Sequence, residues 1–417
     1  VNSHSTESDF KWLDAHLQQK SPGHRASRLI LDIFPEPRYK INQREIGIKR
    51  VGGCMSKPAI ESDTELKEFY QEADQRHLIP LWKVTERLLP PEPKTKVLPY
   101  HWKWADLRRM AYRAADLVPI ERGGERRVLG LVNPGLGGKY AATHTLWAAV
   151  QIVKPGETAP CHRHTAAAIR FIIEGDRSFT NVNGDKCMMS RGDLVLTPNW
   201  TWHDHGCESD RPMIWMDGLD LPLVGDLDAV FFEPYPKERQ PVAEINDSER
   251  KFSGPHLQPT WEKPSENYSP LLNYKWEPTY QALKKIGESA ASPFDDVCFE
   301  YLNPNTGGPV LPTIGCYIQS IRPGIHTQAH RQVNSAVYHV FEGRGSTVIN
   351  GQRLDWERGD FFVVPTWAWH EHINESKEEA ILFSIQDTPV MKALGLYREE
   401  PYETNGGHQR VTGKFEG

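Results

Sequence analysis

The sequence predicts a mainly β chain of short antiparallel strands, laid down twice, with helices confined to its N-terminal side. Three observations carry this. Residues 155–206 are punctuated by Pro155-Gly156, Glu174-Gly175, Asn183-Gly184 and Arg191-Gly192-Asp193, and Gly and Asn-Gly accept the positive φ of tight hairpins. Residues 323–372 repeat the pattern: Pro323-Gly324, Gly343, Asn350-Gly351, Gly359, Pro365 and His370 match the first copy at an offset of 168 that slips to 167 before Gly359. Thirteen Trp and 32 Pro in 417 residues suit strands and turns better than a helical protein.

Taken in order, residues 1–54 stand apart. They mix both charge signs without periodicity, and Glu7, Asp9, Asp14, Asp32 and Glu36 argue against a transit peptide. Met55 reads like a natural start, so residues 1–54 are expected to be a poorly ordered extension dispensable for activity, or else a packing arm at a subunit interface. Residues 55–140 form a helical N-terminal region. Ser62-Asp63-Thr64-Glu65 fits a capping box for a helix that Pro80 ends, carrying Leu66, Phe69, Tyr70 and Ala73. A second helix over 103–118 aligns Trp104, Leu107, Met110, Ala111, Ala114, Leu117 and Val118 in one apolar stripe. The Gly- and Arg-rich stretch 122–138 lacks the strand–turn–helix setting of a dinucleotide fingerprint. It reads as a loop, either plain surface or closing over an anionic ligand.

The first β unit spans 141–225, a connecting segment 226–300, the second β unit 301–392 and a C-terminal tail 393–417. Net charge is −6, which implies no general affinity for nucleic acid or membrane. No apolar run approaches the roughly 18 residues of a membrane-spanning helix. Cysteines 54, 161, 187, 207, 298 and 316 show no disulfide-like or CxxC spacing, which suits a reducing compartment and a cytoplasmic location.

Chemistry concentrates in the first β unit. His162 and His164 form an H-x-H pair, and His203 follows in the spacing Gly192-x5-Pro198-x4-His203. Residues two apart on a strand share a face, so His162 and His164 offer two imidazoles to one metal. A third from a distant strand leaves coordination positions open, as a catalytic metal requires. The bland alternative is three buried, hydrogen-bonded histidines without a metal. Arg170 shares their parity and needs an anion if it faces inward: a substrate carboxylate bound in fork geometry, or an internal Asp or Glu. Trp147, Ala149 and Gln151 share one strand face and suit a pocket wall for a flat ring. His205 shares the parity of His203, and Asp217 interrupts an apolar strand.

The frame around the histidines resembles the two motifs of the cupin superfamily. Read so, the chain is a bicupin: two antiparallel double-stranded β-helix (jelly-roll) barrels with N-terminal helices. It departs from the commonest cupin pattern, because Ala168 and Ile169 stand where a glutamate ligand is usual. In the second copy Gln332 replaces one histidine of the pair His330–Gln332, with His370 kept. Gln is a poor ligand for a transition metal, so the second barrel is expected to hold none unless His326 or His372 stands in.

More specifically, APCHRHTAAAIRFIIEG, TPNWTWHDHG, WMDGLDLP and GERRVLGLVNPGLGG resemble the gentisate 1,2-dioxygenase family, which includes salicylate and 1-hydroxy-2-naphthoate dioxygenases, from about Glu65 to about Tyr397. The resemblance implies Fe(II) on His162, His164 and His203, and Arg170 on the carboxylate of a small aromatic hydroxy acid. It also implies that Arg126, Trp147, Gln151 and Asp217 line the pocket, and that His205 or Asp204 shuttles a proton. By the same resemblance dioxygen would be the second substrate, ring opening in aromatic catabolism the outcome, and a homotetramer the assembly. Two other classes stay open from the sequence: a cupin decarboxylase or isomerase, and a non-catalytic storage bicupin.

Overall fold

The computed structural model describes residues 64–415, apart from 120–121, 124–126, 255–256, 264–266, 288 and 290. The extension 1–54 and the cap residues Ser62 and Asp63 therefore lie outside the described residues. Two compact units divide the chain, 1–84 and 85–417. In the first, a helix covers Thr64–Gln75. Pro80 does not end it. His77 adopts a positive φ of 56°, and the amides of His77 and Leu78 return to the carbonyls of Asp74 and Ala73, a C-terminal motif that closes the helix before the proline. Pro80 instead precedes a second helix, Leu81–Leu88.

The second unit holds two barrels of eight strands each. The first comprises β1 (Trp147–Val153), β2 (Thr158–His164), β3 (Ala168–Glu174), β4 (Ser178–Val182), β5 (Asp185–Met189), β6 (Leu194–Thr197), β7 (His203–Cys207) and β8 (Met213–Leu219). The second comprises β9 (Gly315–Ile321), β10 (His330–Gln332), β11 (Ala336–Glu342), β12 (Arg344–Ile349), β13 (Gln352–Glu357), β14 (Phe361–Val364), β15 (His370–Ile373) and β16 (Ala380–Gln386). One sheet of each barrel runs β6-β3-β8-β1 or β14-β11-β16-β9; the facing sheet runs β2-β7-β4-β5 or β10-β15-β12-β13. Asn183-Gly184 and Asn350-Gly351 turn β4 into β5 and β12 into β13 with positive φ at both residues, the two-residue hairpin expected of Asn-Gly.

Six-stranded sheets result because segments outside the barrels add edge strands. The connecting segment is more than a connection: Phe232–Pro234 pairs β2, Glu244–Ile245 pairs β5 and Asn273–Tyr274 pairs β6, while Val297–Glu300 pairs β9. Likewise the C-terminal tail supplies Glu399–Pro401 to β10 and Gly413–Lys414 to β13. Part of the Gly- and Arg-rich stretch is no loop either, since Val128–Gly130 pairs β1.

The edge strands cross between barrels. Tyr100–Trp102, which precedes the first barrel, pairs β14 of the second; the following helix, Trp104–Leu117, takes its N-cap from that barrel, the Trp104 amide donating to Asp360 Oδ1 at 2.8 Å. Asn273–Tyr274 and helix Trp276–Ile286 do the same on the first barrel, with the Trp276 amide on Asp193 Oδ1 at 2.9 Å and Lys275 paired to the same carboxylate. Each carboxylate follows a glycine, Gly192 or Gly359, at positive φ, where a Cβ would run into the indole of Trp276 or Trp104. The helix 104–117 buries Ala111 and Ala115 and leaves Met110 and Leu117 exposed, so the apolar stripe read from sequence lies partly off the contact face. Small side chains win there because they let the helix approach the sheet.

Between the barrels, the outer faces of β3, β6 and β8 pack against those of β9, β11 and β16. Phe171 stacks on Phe383 with centroids 4.0 Å apart, within one core that also takes in Ile169, Leu194, Met216, Ile318, Val337 and Ile385. Alternation along each strand then sends the other set of side chains into the barrels.

Candidate active site

The inward set of the first barrel contains the histidines. His162 and His164 lie on β2 and His203 on β7, with His162 opposite His203 in the register. Their ligand atoms lie within 4.8 Å of one another, and the ring centroids are 4.4 Å (His162–His203), 4.8 Å (His164–His203) and 5.6 Å (His162–His164) apart. Each Nδ1 faces a backbone carbonyl two residues away: Pro160 at 2.9 Å, Ala166 at 2.7 Å and Thr201 at 2.9 Å. A carbonyl only accepts, so Nδ1 carries the proton in all three rings and every Nε2 presents a lone pair. His203 Nε2 is buried with no hydrogen-bond partner, and burial beside the other two rings and Arg170 pushes its pKa well below the usual histidine value. Three neutral imidazoles held by their far nitrogens fit a divalent transition metal. No carboxylate joins the group among the described residues; Ala168 is buried on β3.

Arg170, on β3, lies directly opposite Asp217 on β8, which lies opposite Ala149 on β1. The guanidinium is buried. Its Nε is 3.2 Å from Asp217 Oδ1, although neither atom makes an aligned hydrogen bond, and Nη1 donates to Thr197 Oγ1 at 3.2 Å. Burial pushes the Asp217 carboxyl up to about 6 against the pull of Arg170. Thus the internal-carboxylate partner weighed for Arg170 is present, and its loose alignment leaves guanidinium donors uncommitted. Gln151 is buried opposite Trp215, and Trp147 is half-buried on the same strand face.

His205 is buried, with its ring 5.5 Å from that of His203 and Nδ1 3.0 Å from Thr180 Oγ1. That hydroxyl donates to Met189 Sδ at 3.3 Å, so His205 Nδ1–H donates to it and Nε2 is the basic nitrogen. Burial, then Arg170 and His203, hold the ring well below the usual histidine pKa, hence neutral.

One sequence assignment comes out differently, and one lies outside the described residues. Asp204 lies between His203 and His205 and points to the other face, pairing across to Asn181, whose amide donates to it at 3.4 Å; burial raises its pKa. One-residue alternation in a strand forces this, and it separates Asp204 from the histidines. Arg126 lies outside the described residues. Its neighbour Arg127 is buried, paired with Glu157 and donating to the Ala115 carbonyl.

Residues unremarked in the sequence complete the site. Thr180 and Thr197 hold His205 and Arg170, and Phe232 stacks on His162 with centroids 5.1 Å apart. A signal for Phe232 existed: Glu233-Pro234 and Glu400-Pro401 repeat at the same offset of 167, and they mark equivalent ion pairs, Arg163–Glu233 at 2.6 Å and Arg331–Glu400 at 2.7 Å.

In the second barrel, His330 lies opposite His370. His330 Nδ1 sits 2.9 Å from Glu399 Oε1, and Gln332 Nε2 lies 3.3 Å from both. His372 is held by Thr347 Oγ1 at 2.9 Å, as His205 is by Thr180. His326 lies outside this group, beside Glu371 and His408, so it does not stand in for Gln332.

The fold defines a bicupin, and the triad of imidazoles in its first barrel is a group that could hold a metal ion. The Cupin domain family model matches residues 149–219 and 317–386. The chain is 42% identical over 358 residues to a 5-aminosalicylate 1,2-dioxygenase of Comamonas sp, covering 85% of this chain and 95% of that protein. It is 41% identical over 341 residues to a gentisate 1,2-dioxygenase of Streptomyces sp, covering 80% and 94%. The structure is similar to that of a salicylate 1,2-dioxygenase from Pseudaminobacter salicylatoxidans, with a TM-score of 0.76 and 40% identity over 81% of this chain and 98% of that one. A variant of the same enzyme in complex with gentisate gives a TM-score of 0.77 and 41% identity, covering 82% of this chain and 95% of that one. The chain therefore belongs to the family of gentisate, salicylate and hydroxynaphthoate dioxygenases, oxidoreductases that incorporate O2. The decarboxylase, isomerase and storage readings fall with that membership. Among the described residues no helix is long and apolar enough to cross a membrane.

Proposed function

We propose that this chain is an Fe(II)-dependent dioxygenase that opens gentisate (2,5-dihydroxybenzoate) between its carboxyl- and hydroxyl-bearing carbons with O2, giving maleylpyruvate. The observation that carries this reading is an all-imidazole ligand set beside a buried guanidinium. His162, His164 and His203 would hold the metal, and they add no negative charge. When bound, Fe(II) supplies a path for electron density from the ring to dioxygen. A 2-hydroxybenzoate supplies the charge that the site lacks, through its carboxylate and adjacent phenolate.

Arg170 takes the carboxylate in fork geometry, with Thr197 and Asp217 steadying the guanidinium. Trp147 and Gln151 on β1, with Asp217, supply the wall for the ring, and Arg126 is assigned to the same pocket. His205, neutral and with Nδ1 committed to Thr180, accepts at Nε2 the proton of the second ring hydroxyl. That role favours a substrate bearing a titratable group para to the first hydroxyl. It fits gentisate and equally the 5-amino compound named for one relative. A cytoplasmic homotetramer completes the reading.

Anaerobic Fe(II) loading followed by O2 uptake tests it, with gentisate, 5-aminosalicylate, salicylate and 1-hydroxy-2-naphthoate as substrates. Gentisate should give the highest kcat/KM. Faster turnover of salicylate would remove gentisate and the proton role of His205 together; no uptake with any of the four would remove the reading.

A further inference from the structure

The second barrel carries, on its outer face, a group of ligand-type side chains that ring cleavage does not use. His326 sits in the turn before β10, Glu371 on β15, and His408 in the C-terminal segment. Their ligand atoms all lie within 4.8 Å of one another. Glu371 Oε2 is 3.1 Å from His408 Nδ1 and 3.5 Å from His326 Nε2, and the two rings lie 4.1 Å apart. The carboxylate is fixed: its side chain is 1% exposed, and Oε1 accepts from the Gln409 amide at 3.1 Å, which turns Oε2 toward the two rings.

These spacings suit a metal. With metal–nitrogen and metal–oxygen bonds of about 2.0–2.1 Å, ligand atoms in a tetrahedron are separated by about 3.3 Å. The observed 3.1 and 3.5 Å edges bracket that value. His326 and His408 are 42% and 33% exposed, so the group opens to solvent and water can complete the coordination. Two imidazoles and a carboxylate select zinc, copper, nickel or iron over magnesium and calcium.

The duplication provides an internal control. The repeat offsets of 168 and 167 place Thr158 and Asp204 at the positions of His326 and Glu371, and Arg239 corresponds to His408 because the next residues, Gln240 and Gln409, donate from Nε2 to the equivalent carbonyls of Asn181 and Val348. There a guanidinium already fills the space, with Arg239 Nη2 donating to Thr158 Oγ1 at 2.8 Å. The same scaffold thus presents a cation of its own in one barrel and three metal-ligating groups in the other. Glu371 also differs from Asp204 by the one methylene that carries its carboxylate out toward the rings.

We propose that His326, Glu371 and His408 bind one divalent first-row transition ion, distinct from the three-histidine site, clamping the C-terminal segment to β15 and to the turn before β10. This does not rest on the dioxygenase reading.

The test equilibrates metal-stripped full-length chain with Zn2+ at neutral pH, removes free ion, and counts zinc per chain. Parent protein should hold one equivalent more than His326→Asn and one more than His408→Asn. That difference of one stands whatever the three-histidine site contributes, because the site is identical in all three proteins. Zn2+ should also raise the Tm of the parent by more than that of His326→Asn. His326 is half-exposed, so its variant folds even if Glu371→Gln, at a buried position, does not. Equal zinc in the parent and both histidine variants would overturn the proposal and leave a plain Glu371–His408 hydrogen bond.

Discussion

Arg170→Lys is the most informative single change. The side chain is 5% exposed, so water cannot replace what the substitution removes. Lysine keeps the positive charge near Asp217 but gives up the planar fork, so it meets a carboxylate as a point charge rather than through two parallel bonds. Losing one charge-assisted contact in a buried site costs roughly 2–4 kcal/mol. At about 1.4 kcal/mol per tenfold, kcat/KM for gentisate should fall roughly 30- to 700-fold. Arg170→Ala should fall further, because it also strands Asp217. The assay pairs O2 uptake with iron content after anaerobic loading, using gentisate and its carboxamide. Lysine should still favour the carboxylate; alanine should lose the preference. Iron lost in step with activity would make Arg170 structural, and parent-like turnover by both variants would refute the clamp.

Other outcomes follow from the same geometry. Replacing His162, His164 or His203 with Ala should abolish iron retention and turnover, whereas His330→Ala should leave iron at the first barrel unchanged; loss of half the iron on changing His330 would reveal a second iron site. His205→Ala should cut turnover while iron stays, and Asp204→Asn, on the other face, should leave turnover near parental, which steady-state kinetics on metal-loaded protein will read. Asp217 titrates near 6 when folded against about 3.8 unfolded, so its carboxyl binds a proton more tightly in the fold. Its favourable contribution is complete below about pH 4 and lost as pH rises through about 6. The Tm of Asp217→Asn relative to parent should therefore climb across that window; a flat difference would mean that Arg170 fully compensates the buried charge.

The cluster of His162, His164 and His203 was legible because its relation is local. H-x-H on one strand fixes two of them, and the Gly-Pro-His spacing delivers the third across a single barrel. Arg170 was legible by the same parity. Asp204 was misplaced where that rule was not applied, since it sits one residue from either histidine. The docking of strands 100–102 and 273–274 could not be read, because each pairs with the barrel farther along or farther back in the chain. Nothing in three or two residues encodes that choice. Phe232 was lost for a related reason: the repeat was followed only as far as its histidines, and the Glu-Pro pairs beyond them went unused. The stripe on helix 104–117 erred because periodicity marks an apolar face but not which part of it small residues bring into contact.

The exchanged arms bear on why a barrel without the three-histidine set persists beside one that has it. The strand and helix that cap the first barrel sit between the two in sequence, and the pair that caps the second lies ahead of both. The second barrel cannot be excised as a contiguous stretch with its own cap, and a cut between the end of the first barrel and residue 273 would yield halves that each carry the other's cap. Co-expressed as separate fragments, they should reassemble as interlocking pieces, each threading its arm onto the other. The second barrel thus serves as the anchorage of the first.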